Sequence, residues 1–200
     1  MIGLRKELIL KMLCYAQLLL LASGWFTPIQ AAPFDIDKSH TAVYFAGSHF
    51  DRSLVRGRFG KVISTIDFDE NLKTGNVNLA VDVTSLSTGQ SLLDSVLKSG
   101  QFFEAEKFPD IYFQSSQFVF VGDQLKAVTG QLTLHGVTKS VSLQAERFSC
   151  GVVRLFGAAR YVCGGDFSLG ILRSDFGMTQ FLPEVGDRVA IQIAVEATPR

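Results

Sequence analysis

The chain has no surplus of charge of either sign: 19 Lys and Arg balance 19 Asp and Glu over 200 residues. Holding a phosphate backbone needs a basic excess, so nucleic acid is excluded as a partner. Histidine is scarce, with three residues in all. His40 and His49 are an odd number of residues apart, which sends them to opposite faces of a regular strand, and His135 falls in a turn. No metal site is expected from such a set. The Gly-x-Ser-x-Gly elbow of hydrolases is absent. Gly164-Gly165-Asp166 lacks the strand-to-helix context of a nucleotide loop. Long apolar runs are also missing, save one near the start.

That run spans Met12 to Gly24 and follows Arg5, Lys6 and Lys11. Small residues close it at Ile29-Gln30-Ala31-Ala32. Basic, apolar, then small is the order of a secretory signal, with cleavage expected after Ala31. At about 13 residues the run is shorter than the roughly 20 needed to cross a bilayer. Residues 1–31 are therefore read as a cleaved signal, and residues 32–200 as one domain with a net charge of about −2 and no membrane-spanning segment. Export removes Cys14 and leaves Cys150 and Cys163. An even pair in an exported chain reads as one disulfide, with two buried thiols as the other reading. The bridge would close a loop of about 14 residues, worth on the order of 3 kcal/mol by loop entropy.

The composition is 47% hydrophobic, with 17 Phe against 4 Tyr and 1 Trp. Phe needs no hydrogen-bond partner, so this surplus suits a bulky core or the lining of an apolar cavity. Period-two alternation dominates the pattern. Val77, Leu79, Val81 and Val83 alternate with wetter residues, as do Val141, Leu143 and Ala145, and then Val189, Ile191, Ile193 and Val195. One face is apolar and the other wet, which favours antiparallel pairing. Turn signals stand at Thr74-Gly75, Gly122-Asp123, His135-Gly136 and Gly186-Asp187. About eight strands result. Leu92, Leu93, Val96 and Leu97 break the alternation at helical spacing, with Ser91 and Asp94 as a capping box. The reading is all-β: an eight-stranded antiparallel barrel, closed because closure removes sheet edges, with one short helix between strands three and four. A barrel of this size can hold one small ligand. Phe148 to Tyr161 reads as the longest irregular piece, stapled by the cysteine pair.

Inward phase selects Phe45, Phe59, Phe113, Leu143 and Phe167 as cavity lining. His49 shares the phase of Val43 and Phe45, so it either meets a ligand's polar head or bonds to backbone. Arg173-Ser174-Asp175-Phe176-Gly177-Met178 mixes a guanidinium, a carboxylate and large apolar groups. Arg173 there either grips a head group or pairs with an aspartate to tie the last strands together. Arg52, Arg56 and Arg58 crowd the link between the first two strands, as a mouth decoration or a solvated loop.

These residues resemble the YceI-like family of exported lipid-binding proteins over roughly Phe34 to Glu196. The likeness is carried by Phe34-Asp35-Ile36-Asp37, Ser39-His40-Thr41-Ala42-Val43-Tyr44-Phe45 with His49, and Phe108-Pro109-Asp110-Ile111-Tyr112-Phe113. It continues through Leu132-Thr133-Leu134-His135-Gly136-Val137 and the block Arg173 to Met178. Cys163-Gly164-Gly165-Asp166 is similar to a subset of the family that carries a second cysteine upstream. The resemblance implies a lipocalin-like barrel with a helix at one end. It implies a polyisoprenoid or an isoprenoid quinone in an elongated cavity, a periplasmic location, dimers, no cofactor beyond the bound lipid, and no enzymatic activity. It adds Asp94, Asp175, Phe176 and Met178 to the ligand-binding candidates. The Arg and His that many relatives carry on the helix are absent from Leu93-Asp94-Ser95-Val96-Leu97, and Gln101 stands where relatives have Asp, which favours a less polar ligand end. The competing readings are a non-catalytic interaction or stress-response module with a filled barrel, and an enzyme on an apolar substrate using Asp175 and His49 as acid and base.

Overall fold

The structure, a computed structural model, describes residues 32–155 and 157–200. The signal segment, residues 1–31, lies outside the described residues. The strands are β1 (Ala32–Ile36), β2 (Ala42–His49), β3 (Ser53–Phe59), β4 (Val62–Asp69), β5 (Thr74–Asp82) and β6 (Leu86–Ser87). After helix α1 (Ser91–Lys98) come β7 (Asp110–Val121), β8 (Gln124–Leu134), β9 (Val137–Leu155), β10 (Ala158–Leu172) and β11 (Val185–Pro199). Every pairing between them is antiparallel.

The sheet closes on itself through β11. One edge of β11 pairs with β10. Its other edge is shared, with β2 along Val185 to Ala194 and β1 along Ala197 to Pro199. β1 in turn pairs with β4, which leads through β5, β7, β8 and β9 back to β10. β1 with β2, and β3 with β4, each form one bent strand, so the barrel has the eight strands that alternation implied. Closure satisfies backbone donors and acceptors that an open sheet would leave at its edges. The helix falls between the third and fourth long strands, as its spacing predicted.

Local chemistry accounts for the turns. His135 and Gly136 form a two-residue connection with φ of 51° and 76°, the doubly positive geometry whose twist matches flanking strands. Gly122-Asp123 is also a two-residue connection. Two other turn signals mark something else. Thr74-Gly75 already belongs to β5, and the turn precedes it. Gly186-Asp187 lies inside β11, at an irregularity where pairing with β2 skips from Val185 to Val189. A β-carbon on Gly186 would sit 2.9 Å from Ser48 Cβ, so glycine there permits close approach rather than a turn.

Two further expectations are corrected. Phe148 to Tyr161 is not irregular: it is the distal part of the β9–β10 hairpin, in unbroken register from Arg147↔Asp166 to Leu155↔Ala158. Cys150 and Cys163 are direct cross-strand partners, joined by a disulfide. The run lacks alternation because this hairpin reaches past the end of β8 pairing, leaving Val152 and Val153 exposed on its two faces. The capping box is also absent. The residue before α1 is Gln90, without a side-chain cap. Asp94 instead accepts hydrogen bonds from the Thr88 amide (2.6 Å) and hydroxyl (2.7 Å), which lower its pKa. It ties the chain ahead of the helix to the helix body.

Candidate functional site

The inward faces of the strands do not fill the barrel. They enclose a cavity of about 390 Å³, walled almost wholly by apolar side chains. β2 contributes Val43 and Phe45, β4 contributes Ile66 and Phe68, β7 contributes Ile111, Phe113 and Phe118, and β11 contributes Val189, Ile191, Ile193 and Val195. Alternation puts these residues inside and their polar neighbours outside, and on β7 a bulge between Ser115 and Gln117 brings Phe118 to the same side as Ile111 and Phe113.

The two ends of the cavity differ. At the end toward the β9–β10 hairpin its lining residues Phe34, Phe68, Cys163 and Ala197 are all buried. Phe68 stacks on Phe118 (5.7 Å between centroids) and meets Phe148 edge-on (5.5 Å), so aromatic rings floor that end. At the other end stand α1, the residues after it and the segment following β10. Leu93 and Val96 of α1, Phe102, Phe181 and Val55 line the cavity here. Of the lining residues among the described ones, only His49 and Phe181 are exposed, and both belong to this end. The mouth is therefore at the helix end. Phe102 and Phe181 stack across it at 5.9 Å.

Arg173 is buried beside the mouth, 4% exposed. Its Nε donates to the Gly186 carbonyl (3.1 Å), Nη1 to Met178 (2.6 Å), and Nη2 to Gln180 and Val185 (both 2.8 Å). Four of the five guanidinium N–H donors are thus spent on main chain. Burial pushes its pKa down, opposed by Asp187. Asp187 accepts from the Ser174 amide and hydroxyl instead of pairing with the guanidinium. Arg173 thus builds the rim from residues 177–186, and the Arg–Asp pair, one of its two readings, gives way to carbonyls. Its Cζ also lies 5.7 Å from the centroid of Phe102.

The structure brings most of the selected residues together. Phe45, Phe59, Phe113, Leu143 and Phe167 line the cavity, Met178 and Arg173 join them, and His49 stands at the mouth. Asp94, Asp175 and Phe176 do not line it. Asp94 is held by Thr88. Asp175 pairs with Lys139 at 2.9 Å, both half-exposed. Phe176 is 1% exposed within the core, and its carbonyl accepts from His135 Nδ1 at 3.0 Å. Asp175 and His49 thus do not meet as an acid–base pair. Arg56 and Arg58 face outward on β3, alternating with Val55, Gly57 and Phe59. Pattern reading passed over the floor, although Phe34 and Phe68 carry the inward phase; Phe118 is out of phase with Phe113 and turns inward only through the bulge between Ser115 and Gln117. It also passed over Ser64, a hydroxyl among the inward residues of β4. Phe103, Leu93 and Phe181 carried no strand periodicity and only the folded chain reveals them.

A family model described as the YceI-like domain matches residues 34–197. A UPF0312 protein of Vibrio parahaemolyticus is 38% identical over 125 residues, 61% of this chain and 66% of the relative. The chain thus spans just under two thirds of that relative's length. Protein YceI of Salmonella newport is 34% identical over 170 residues, 83% of this chain and 86% of the relative. Among solved structures, a polyisoprenoid binding domain from Saccharophagus degradans superposes with a TM-score of 0.62 at 18% identity, covering 85% of this chain and 99% of that one. At that identity the likeness shows the fold.

Proposed function

Because the chain belongs to the YceI-like family, we propose that it binds an elongated isoprenoid lipid, a polyisoprenoid or an isoprenoid quinone, inside the barrel and carries it in the periplasm. The observation that carries this reading is the 390 Å³ apolar cavity with one floored end and, at the helix end, a mouth spanned by the Phe102–Phe181 stack. A long isoprenoid in water exposes apolar surface, and each buried methylene-sized group gains about 0.8 kcal/mol before ordering costs. A cavity lined this way rewards such a chain and offers little to a polar metabolite. The polyisoprenoid binding described for the Saccharophagus degradans domain supports the choice of lipid class. Export is supported by the basic–apolar–small start of the sequence and by the disulfide, which persists in oxidising compartments.

Protein expressed with its own leader, purified without detergent and extracted with organic solvent should release an isoprenoid lipid identifiable by mass spectrometry. If repeated preparations release none, and geranylgeraniol added to the protein leaves its thermal midpoint unmoved, lipid carriage is wrong.

A further inference from the structure

We infer that Ser64 fixes which isoprenoids the barrel accepts, by hydrogen-bonding an oxygen of the ligand inside the cavity rather than at its mouth. This deepens the lipid-binding reading and rests on it.

Ser64 lies on β4 between Val62 and Ile66, in the inward phase that ends at Phe68 on the floor. Its cross-strand partner on β5 is Leu79, and Leu79 pairs with Phe113 of β7, all three lining the cavity. The hydroxyl therefore belongs to an otherwise hydrocarbon band of wall, below α1 and above the floor. Its oxygen is buried and has no hydrogen-bond partner among the described residues. Among the described residues one other buried side-chain atom shares that state, His135 Nε2, and it lies 3.5 Å from the Glu104 carboxylate.

A buried hydroxyl without a partner is costly, and most of the other lining positions on the strands carry Val, Ile, Leu or Phe. Water is a poor substitute partner here, because an ordered internal water needs two to four polar groups and this part of the wall offers one. The other polar residues along the cavity are already engaged or lie at its edge. Arg173 gives its donors to carbonyls of the rim, Ser48 donates to Asp51, and His49 is exposed at the mouth. Turned about its Cα–Cβ bond toward the lumen that the residue lines, the Ser64 hydroxyl is left a ligand oxygen to meet: a hydroxyl or a carbonyl on the isoprenoid. Its oxygen-bearing end then travels inside the barrel, shielded from water.

The test compares geranylgeraniol with the same tetraprenyl hydrocarbon lacking the hydroxyl, on the mature protein stripped of lipid. Ser64→Ala should weaken geranylgeraniol about tenfold and leave the hydrocarbon unchanged or tighter. Ser64→Thr, which keeps the hydroxyl, should restore the preference for the alcohol. Lipid-free Ser64→Ala should melt no lower than wild type, since it removes an unpartnered group. Equal changes for both ligands, or a Ser64→Thr protein that behaves like Ser64→Ala, would overturn the inference while leaving lipid carriage intact. Failure of wild type to take up either ligand would overturn the lipid reading itself, and this inference with it.

Discussion

The Phe45 ring lies across Gly57, its direct partner on the neighbouring strand, so closely that a β-carbon on Gly57 would sit 2.4 Å from Phe45 Cζ. The ring also reaches Phe59 at 5.6 Å and Phe103 at 6.2 Å between centroids. A side chain from β2 is thereby laid along the wall instead of standing across the lumen. The missing side chain at position 57 helps keep this stretch of the cavity open.

Gly57→Ala should therefore push the Phe45 ring off the wall and into the lumen. Overpacking of this kind costs about 1–3 kcal/mol. The expected result is a lower thermal midpoint together with reduced uptake of geranylgeraniol. Unchanged midpoint and uptake would mean that the ring has another place to go.

Arg173→Met should destabilise the fold by about 3 kcal/mol or more, because it strands the carbonyls of Met178, Gln180, Val185 and Gly186 without their charged donor. Hydrogen exchange should quicken across residues 177–186 and not across the floor strands. Arg173→Lys should rescue little, since an ammonium cannot reproduce the planar fork that reaches four acceptors. Full rescue by Lys, measured by thermal melting, would contradict the structural role given to the guanidinium.

Asp82 should shape the acid limb of the stability profile. It accepts from Lys61 Nζ at 2.8 Å and from the Thr84 hydroxyl and amide. The hydrogen bond from Lys61, then that from the Thr84 hydroxyl, lowers its pKa from 3.8 to about 2. The unfolded chain takes up this proton first as pH falls. The stabilisation is thus present above about pH 4 and is lost as pH drops toward about 2. Asp82→Asn should flatten thermal midpoint against pH in that window. Part of the slope should remain, because Thr88 lowers the pKa of Asp94 and Ser174 lowers that of Asp187. An unaltered slope in the variant would remove Asp82 from the account.

The sequence by itself determined the class of the fold and the chemistry of its interior. Alternation at Val77 to Val81 and Val189 to Val195 specifies strands with one apolar face, and that periodicity is a local property of the chain. The same phase places Phe45, Phe113 and Phe167 inside. Helical spacing at Leu92 to Leu97 marks α1 equally locally. The tertiary structure alone decided that the barrel is closed by one bent strand, β1 with β2, lying along the edge of β11, and that its interior stays hollow with a floor and a mouth. Neither is written in any one stretch of sequence, because whether inward rings meet or miss depends on strand bends and on approaches such as Phe45 over Gly57. The role of Arg173 was equally hidden. Its partners are carbonyls, which every residue possesses, so only the fold of residues 177–186 around the guanidinium could make it part of the rim.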